Sequence, residues 1–182
     1  MKRQAVKLLK FFVHDRPAMF TKNRILWIAA LLGLVFDRLS KFLVVYTMPL
    51  TVPPATIPLF PGVFHITYVV NTGAAFSLFS QGVGWLRWLS LLVGVALMFL
   101  AWFGPTLNRW EQAGYGFILS GALGNGIDRF VLGQVVDFLD FRLIQFAVFN
   151  LADAFINAGI GCLLVNMFSQ STRSPSDSSP RR

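Results

Sequence analysis

One cysteine and two histidines in 182 residues leave little room for disulfide, thiol or metal chemistry. Cys162 stands alone inside an apolar stretch, so neither an internal disulfide nor a cysteine-based zinc site can form, and packing is its expected role. His14 and His65 lie in different regions without a second ligand at metal spacing, so each reads as an isolated histidine. No metal and no cofactor is expected. Charge is also scarce: 13% of residues are charged, against roughly 25% in an average soluble domain, while 55% are hydrophobic. A water-facing surface is poorly made from such a composition, and an apolar solvent explains it better.

The net charge of +8 raises the question of a nucleic-acid partner. Its distribution answers no. Seven of the sixteen basic residues (Lys2, Arg3, Lys7, Lys10, Arg16, Lys22 and Arg24) precede the first apolar run, and Arg173, Arg181 and Arg182 sit in the tail. That pattern reads as membrane topology, with lipids as the surroundings and no basic binding face.

Residues 25–46 are long enough to cross a hydrocarbon core, which needs about 20 helical residues, although Asp37, Arg38 and Lys41 interrupt them. The long basic segment before this run, and the lack of a small-residue cleavage site after it, favour a retained helix over a signal peptide. Pro49, Pro53, Pro54, Pro58 and Pro61 then exclude a continuous helix, while VFHITYVV at 63–70 is rich in β-branched and aromatic residues. A small extracytoplasmic β element is predicted over about 47–83. Further spans fit residues 86–104, closed by Gly104 and Pro105, residues 113–131, and about 149–168. In the third, Gly116, Ser120 and Gly124 form a small-xxx-small stripe suited to close helix packing.

The expected organisation is a basic N-terminal extension (1–24), a four-helix transmembrane domain (25–168) and a disordered polar tail (169–182). No internal repeat is visible. Four spans place both termini on one side, and the basic ends, with Arg109 in the short turn between the second and third spans, make that side the cytoplasm. Residues 47–85 and 132–148 then face outward, and Trp85, Trp88 and Trp102 suit an interfacial aromatic belt.

Ionised groups at membrane depth cost about 2.5 to 3.5 kcal/mol on insertion scales, so each needs a partner or a function. This topology gathers several at the outer side: Asp37, then Asn125, Asp128 and Arg129, then Asn150 and Asp153. Asp37 and Lys41 are one turn apart, and an ion pair between them is as good a reading as a functional one. Asn125 and Arg129 share a face that can orient a carboxylate or hold a carbonyl. Asn150 can cap the fourth span or orient Asp153, three residues on. Asp137 lies in an extended segment with no cation within helical pairing reach. Asp140 and Arg142 read as a solvated surface pair.

Two carboxylates in a low-dielectric site share a proton, which suits hydrolysis without metal or covalent nucleophile. A serine nucleophile is the competitor, but Ser40 and Lys41 are adjacent and diverge by about 100° on a helix, while Ser77 and Ser120 have no base nearby in sequence. A small proton- or ion-coupled transporter also uses buried aspartates, although clustering at one side is a poor path across a membrane.

Read together, DRLSK (37–41), NTGAAFS (71–77), GALGNGIDR (121–129), VVDF (135–138) and FNLADAFINAG (149–159) resemble the lipoprotein signal peptidases, or signal peptidase II. The five ordered blocks cover about residues 25–168; the N-terminal extension and the tail lie outside them. The resemblance implies a mainly α membrane protein, four transmembrane helices with a small extracytoplasmic β-cradle, in a bacterial inner membrane. It implies an aspartyl endopeptidase that cuts diacylglyceryl-modified prolipoproteins just before the modified cysteine. Carried over by motif, Asp137 and Asp153 are the catalytic pair, and Asp37, Lys41, Asn71, Asn125, Arg129 and Asn150 support it or bind substrate. Asp128 is the rival of Asp137, and its neighbour Arg129 is expected to hold it ionised, a poor partner for proton sharing. A monomer is expected.

Overall fold

A computed structural model describes residues 22–73, 83–144 and 146–171. Residues 1–21, 74–82, 145 and 172–182 lie outside them, and with them His14, Ser77 and most of the NTGAAFS block. Among the described residues, four helices carry the chain: α1 (Arg24–Thr47), α2 (Val83–Phe103), α3 (Arg109–Val131) and α4 (Leu151–Ser171). Three strands complete it: β1 (Thr56–Phe60) and β2 (Phe64–Asn71) between α1 and α2, and β3 (Val135–Phe141) between α3 and α4. Each helix begins or ends within a few residues of the expected span.

α2 and α4 are long and apolar enough to cross a membrane. α1, of 24 residues, and α3, of 23, are long enough at 1.5 Å per residue but carry ionisable groups. Those groups face each other. Leu31, Phe36 and Phe42 of α1 and Trp88, Leu92 and Phe99 of α2 are exposed, as apolar faces are when lipid surrounds them.

α3 is the central helix, and its small residues let the others approach. A β-carbon at Gly116 would run into the backbone of Leu26 in α1, and one at Gly121 into the carbonyl of Ala152 in α4. The end of the bundle near Asn23 is fastened by that buried amide. Its Nδ2 donates to the Ala101 carbonyl at 3.1 Å, and its Oδ1 accepts from the Leu107 amide at 3.0 Å. Asn108 starts α3 with a capping box shared with Glu111.

At the opposite end, the sheet runs β1-β2-β3, antiparallel throughout. Among the described residues, the segment 47–83 supplies two strands of this sheet, and the third comes from the other outer loop. The sheet rests on the end of α1: Val44 and Met48 pack with Tyr68, Val136 and Phe138. His65 is a structural histidine, its Nδ1 bonded to Thr56 Oγ1 at 3.2 Å and its Nε2 accepting from the Gly62 amide at 3.3 Å. Asp140 is buried, which overturns the solvated reading. Thr67 donates to it at 2.6 Å, and Arg142 pairs with it at 3.0 Å.

Candidate active site

After β3 the chain doubles back, and Phe149 pairs with Leu139 through backbone bonds of 2.8 and 3.1 Å. This return sets the start of α4 beside the middle of β3. It brings Asn150 to Asp137, thirteen residues earlier, and the Asn150 Nδ2 donates to Asp137 Oδ1 at 2.6 Å. The second oxygen of Asp137 accepts from Asn71 Nδ2 at 3.0 Å. Asn71 can offer that group because its own oxygen is held by the Gly73 amide, in a short turn after β2. Asp137 is therefore not the unattached residue its sequence neighbours imply. It is 2% exposed and gripped by two amides.

Asn150 does both of the things expected of it. Its Oδ1 accepts from the Asp153 amide at 3.1 Å, while Asp153 Oδ2 accepts from the Asn150 amide at 3.3 Å, a reciprocal cap at the start of α4. The other oxygen of Asp153 accepts from Asn125 Nδ2 at 2.7 Å. Asn125 Oδ1 takes bonds from Asn150 Nδ2 and Lys41 Nζ, both at 3.1 Å. Two asparagines thus link the two carboxylates through one amide network.

Asp37 and Lys41 lie behind this layer in a ring of four charges, three of them buried and the fourth, Arg38, partly exposed. Lys41 pairs with Asp37 at 3.0 Å and with Asp128 at 2.7 Å, and Arg38 pairs with both acids at 2.7 Å. Asp128 is therefore neutralised by cations of α1, and not by its neighbour Arg129. Asp37 also accepts from the Ala152 amide at 3.1 Å, fixing the residue just before Asp153. Sequence reasoning passed over Arg38. The available signal was an imbalance: two cations and one acid on a spanning helix require a second acid from elsewhere.

Asn71, Asn125, Arg129, Asp137 and Asp153 line one cleft of about 250 Å³, closed on one side by Phe146 to Phe149. Arg129 bonds the Asn125 carbonyl at 3.3 Å, and its buried Nε has no hydrogen-bond partner among the described residues. Asn157, absent from the sequence expectations, also lines the cleft. Burial pushes the Asp137 carboxyl up to about 6; the charge of Asp153 adds to this, and Asn71, Asn150 and Lys41 oppose it. A carboxyl held near neutrality beside a second carboxylate suits general acid-base hydrolysis. Ser40 and Ser120 are spent on the carbonyls of Asp37 and Phe117, so neither is poised as a nucleophile.

A helical, apolar bundle with paired acids in a cleft at one end has the make-up of a membrane hydrolase of the aspartic type. The chain belongs to the signal peptidase II family: the family's sequence profile, signal peptidase (SPase) II, matches residues 29–169. It is 71% identical to the lipoprotein signal peptidase of Cyanothece sp. (strain PCC 7425) over 144 residues, 79% of this chain and 83% of that protein. It is 62% identical to the lipoprotein signal peptidase of Microcystis aeruginosa (strain NIES-843) over 157 residues, 86% of this chain and all of that protein. Two solved bacterial membrane enzymes share the fold. One has a TM-score of 0.74 at 24% identity, covering 92% of this chain and 99% of its own. The other has 0.68 at 26%, covering 85% and 97%. Membership makes the chain a protease and sets aside the ion-coupled transporter.

Proposed function

We propose that this chain removes signal peptides from prolipoproteins by cutting just before the diacylglyceryl-modified cysteine, with Asp137 and Asp153 as the catalytic pair. The observation that carries the assignment is the Asn150 side chain, whose Nδ2 bonds Asp137 and whose Oδ1 bonds the Asp153 amide. One carboxylate takes a proton from water as it attacks the scissile carbonyl. The other, protonated, donates to the carbonyl oxygen and later passes its proton to the departing nitrogen. Asn71, Asn125 and Asn150 hold the acids; Lys41 ties α1 to α3, and Asp37 ties α1 to the start of α4. Arg129, with a spare donor at the cleft, holds an oxygen of the substrate.

All four helices cross the inner membrane, both termini are cytoplasmic, and the cleft opens near the periplasmic surface. The basic ends of the chain and the exposed apolar helix faces support this orientation. Acyl chains on the substrate cysteine stay in the lipid, so depth presents the bond to the acids. The enzyme acts as a monomer. The test is mass spectrometry of products after the purified enzyme meets a diacylated prolipoprotein in detergent. A single cut before the modified cysteine is expected, with no cut in the unlipidated form and no loss in EDTA. Equal cleavage of the unlipidated form, or activity lost to EDTA and restored by zinc, overturns the proposal.

A further inference from the structure

Six of the seven asparagines in the chain are hydrogen bonded: Asn23, Asn71, Asn108, Asn125, Asn150 and Asn166. Asn157 is the exception. It lies in α4, exposed, lines the cleft, and its side chain has no hydrogen bond among the described residues. Four residues separate it from Asp153, so both stand on one face of the helix, with Asn157 a turn further from the helix start. Four residues on, the same face reaches Gly161, where a β-carbon would meet nothing within 4 Å. Gly159, on another face, is packed against the backbone of Gly114 and against Ile118. Acid, amide and bare backbone therefore succeed one another along an open lane.

An amide at membrane depth with no partner is costly, and so is unpaired peptide backbone in the same solvent. A signal peptide unwound enough to expose its scissile bond brings such backbone to this place. We propose that Asn157 is a substrate-binding residue: its side-chain amide bonds the main chain of the signal peptide on the amino-terminal side of the scissile bond. Gly161 leaves room for that chain to descend along α4. This rests on the peptidase reading above and adds a contact that the amide network around the two acids does not supply.

The test is steady-state cleavage of a diacylated prolipoprotein by the full-length enzyme in detergent, with melting temperature measured in parallel. Asn157→Leu should raise KM by about five- to tenfold, the worth of one hydrogen bond, with kcat within about twofold and melting unchanged. Asn157→Gln should recover at least half of the loss, and Gly161→Leu should raise KM without touching the acids. An unchanged KM in Asn157→Leu overturns the inference, as does a fall in kcat alone, which would tie Asn157 to the chemistry. Failure of the parent enzyme to cut this substrate would instead sink the peptidase reading.

Discussion

Asp137 keeps its place at a cost that depends on pH. Free in an unfolded chain, its carboxyl ionises around the ordinary value of 3.8; folded, burial carries it to about 6. Below pH 4 both states hold the proton and burial costs nothing through ionisation. Between about 4 and 6 the unfolded side chain has lost its proton while the folded one retains it, so stability drains away as pH rises. Above 6 the loss levels off at about 3 kcal/mol, on the order of 1.4 kcal/mol for each tenfold step. Asp137→Asn removes that dependence. Its melting temperature in detergent, compared with the parent's, should move in the variant's favour from pH 4 to pH 8, and a constant difference would contradict the burial account. On the proposed mechanism this is a trade of stability for a site held ready for proton transfer.

The helices meet where side chains are missing. A β-carbon at Gly124 would stand 2.5 Å from Asp37 Oδ2 and 3.2 Å from the β-carbon of Ala152, pressing on the charge ring and on the start of α4 together. Gly124→Ala should therefore lower thermal stability by about 1–3 kcal/mol and reduce cleavage, while Gly84→Ala in α2, with open space around it, should do neither. An unaffected Gly124→Ala enzyme would mean that α1, α3 and α4 are less tightly joined than described. The stripe containing Gly124 was legible in the sequence because spacing alone puts small residues on one helix face. β3 was half legible: VVDF read as extended, but its pairing with β2 spans more than sixty residues, as between Asn71 and Val135, and no local signal reports it.

Across the whole molecule, the pairing of charges was the least readable feature. Asp128 sits next to Arg129 in the chain, yet neighbours on a helix point apart. The fold turns Asp128 to Arg38 and Lys41 of α1, leaving Arg129 for the cleft. Helix positions were readable because membrane thickness fixes their length. Partners across helices depend on rotation about each axis, which composition does not encode. Asp37, Lys41 and Asp128 hold the bundle; Asp137 and Asp153, from β3 and α4, both line the cleft it supports. The most direct measurement is cleavage of a diacylated prolipoprotein by Asp137→Asn, Asp153→Asn and Asp128→Asn enzymes, each normalised to folded protein. The first two should lose at least about a hundredfold in kcat while remaining folded, and Asp128→Asn should lose chiefly stability. Near-parental turnover by either Asp137→Asn or Asp153→Asn would contradict the paired-acid site.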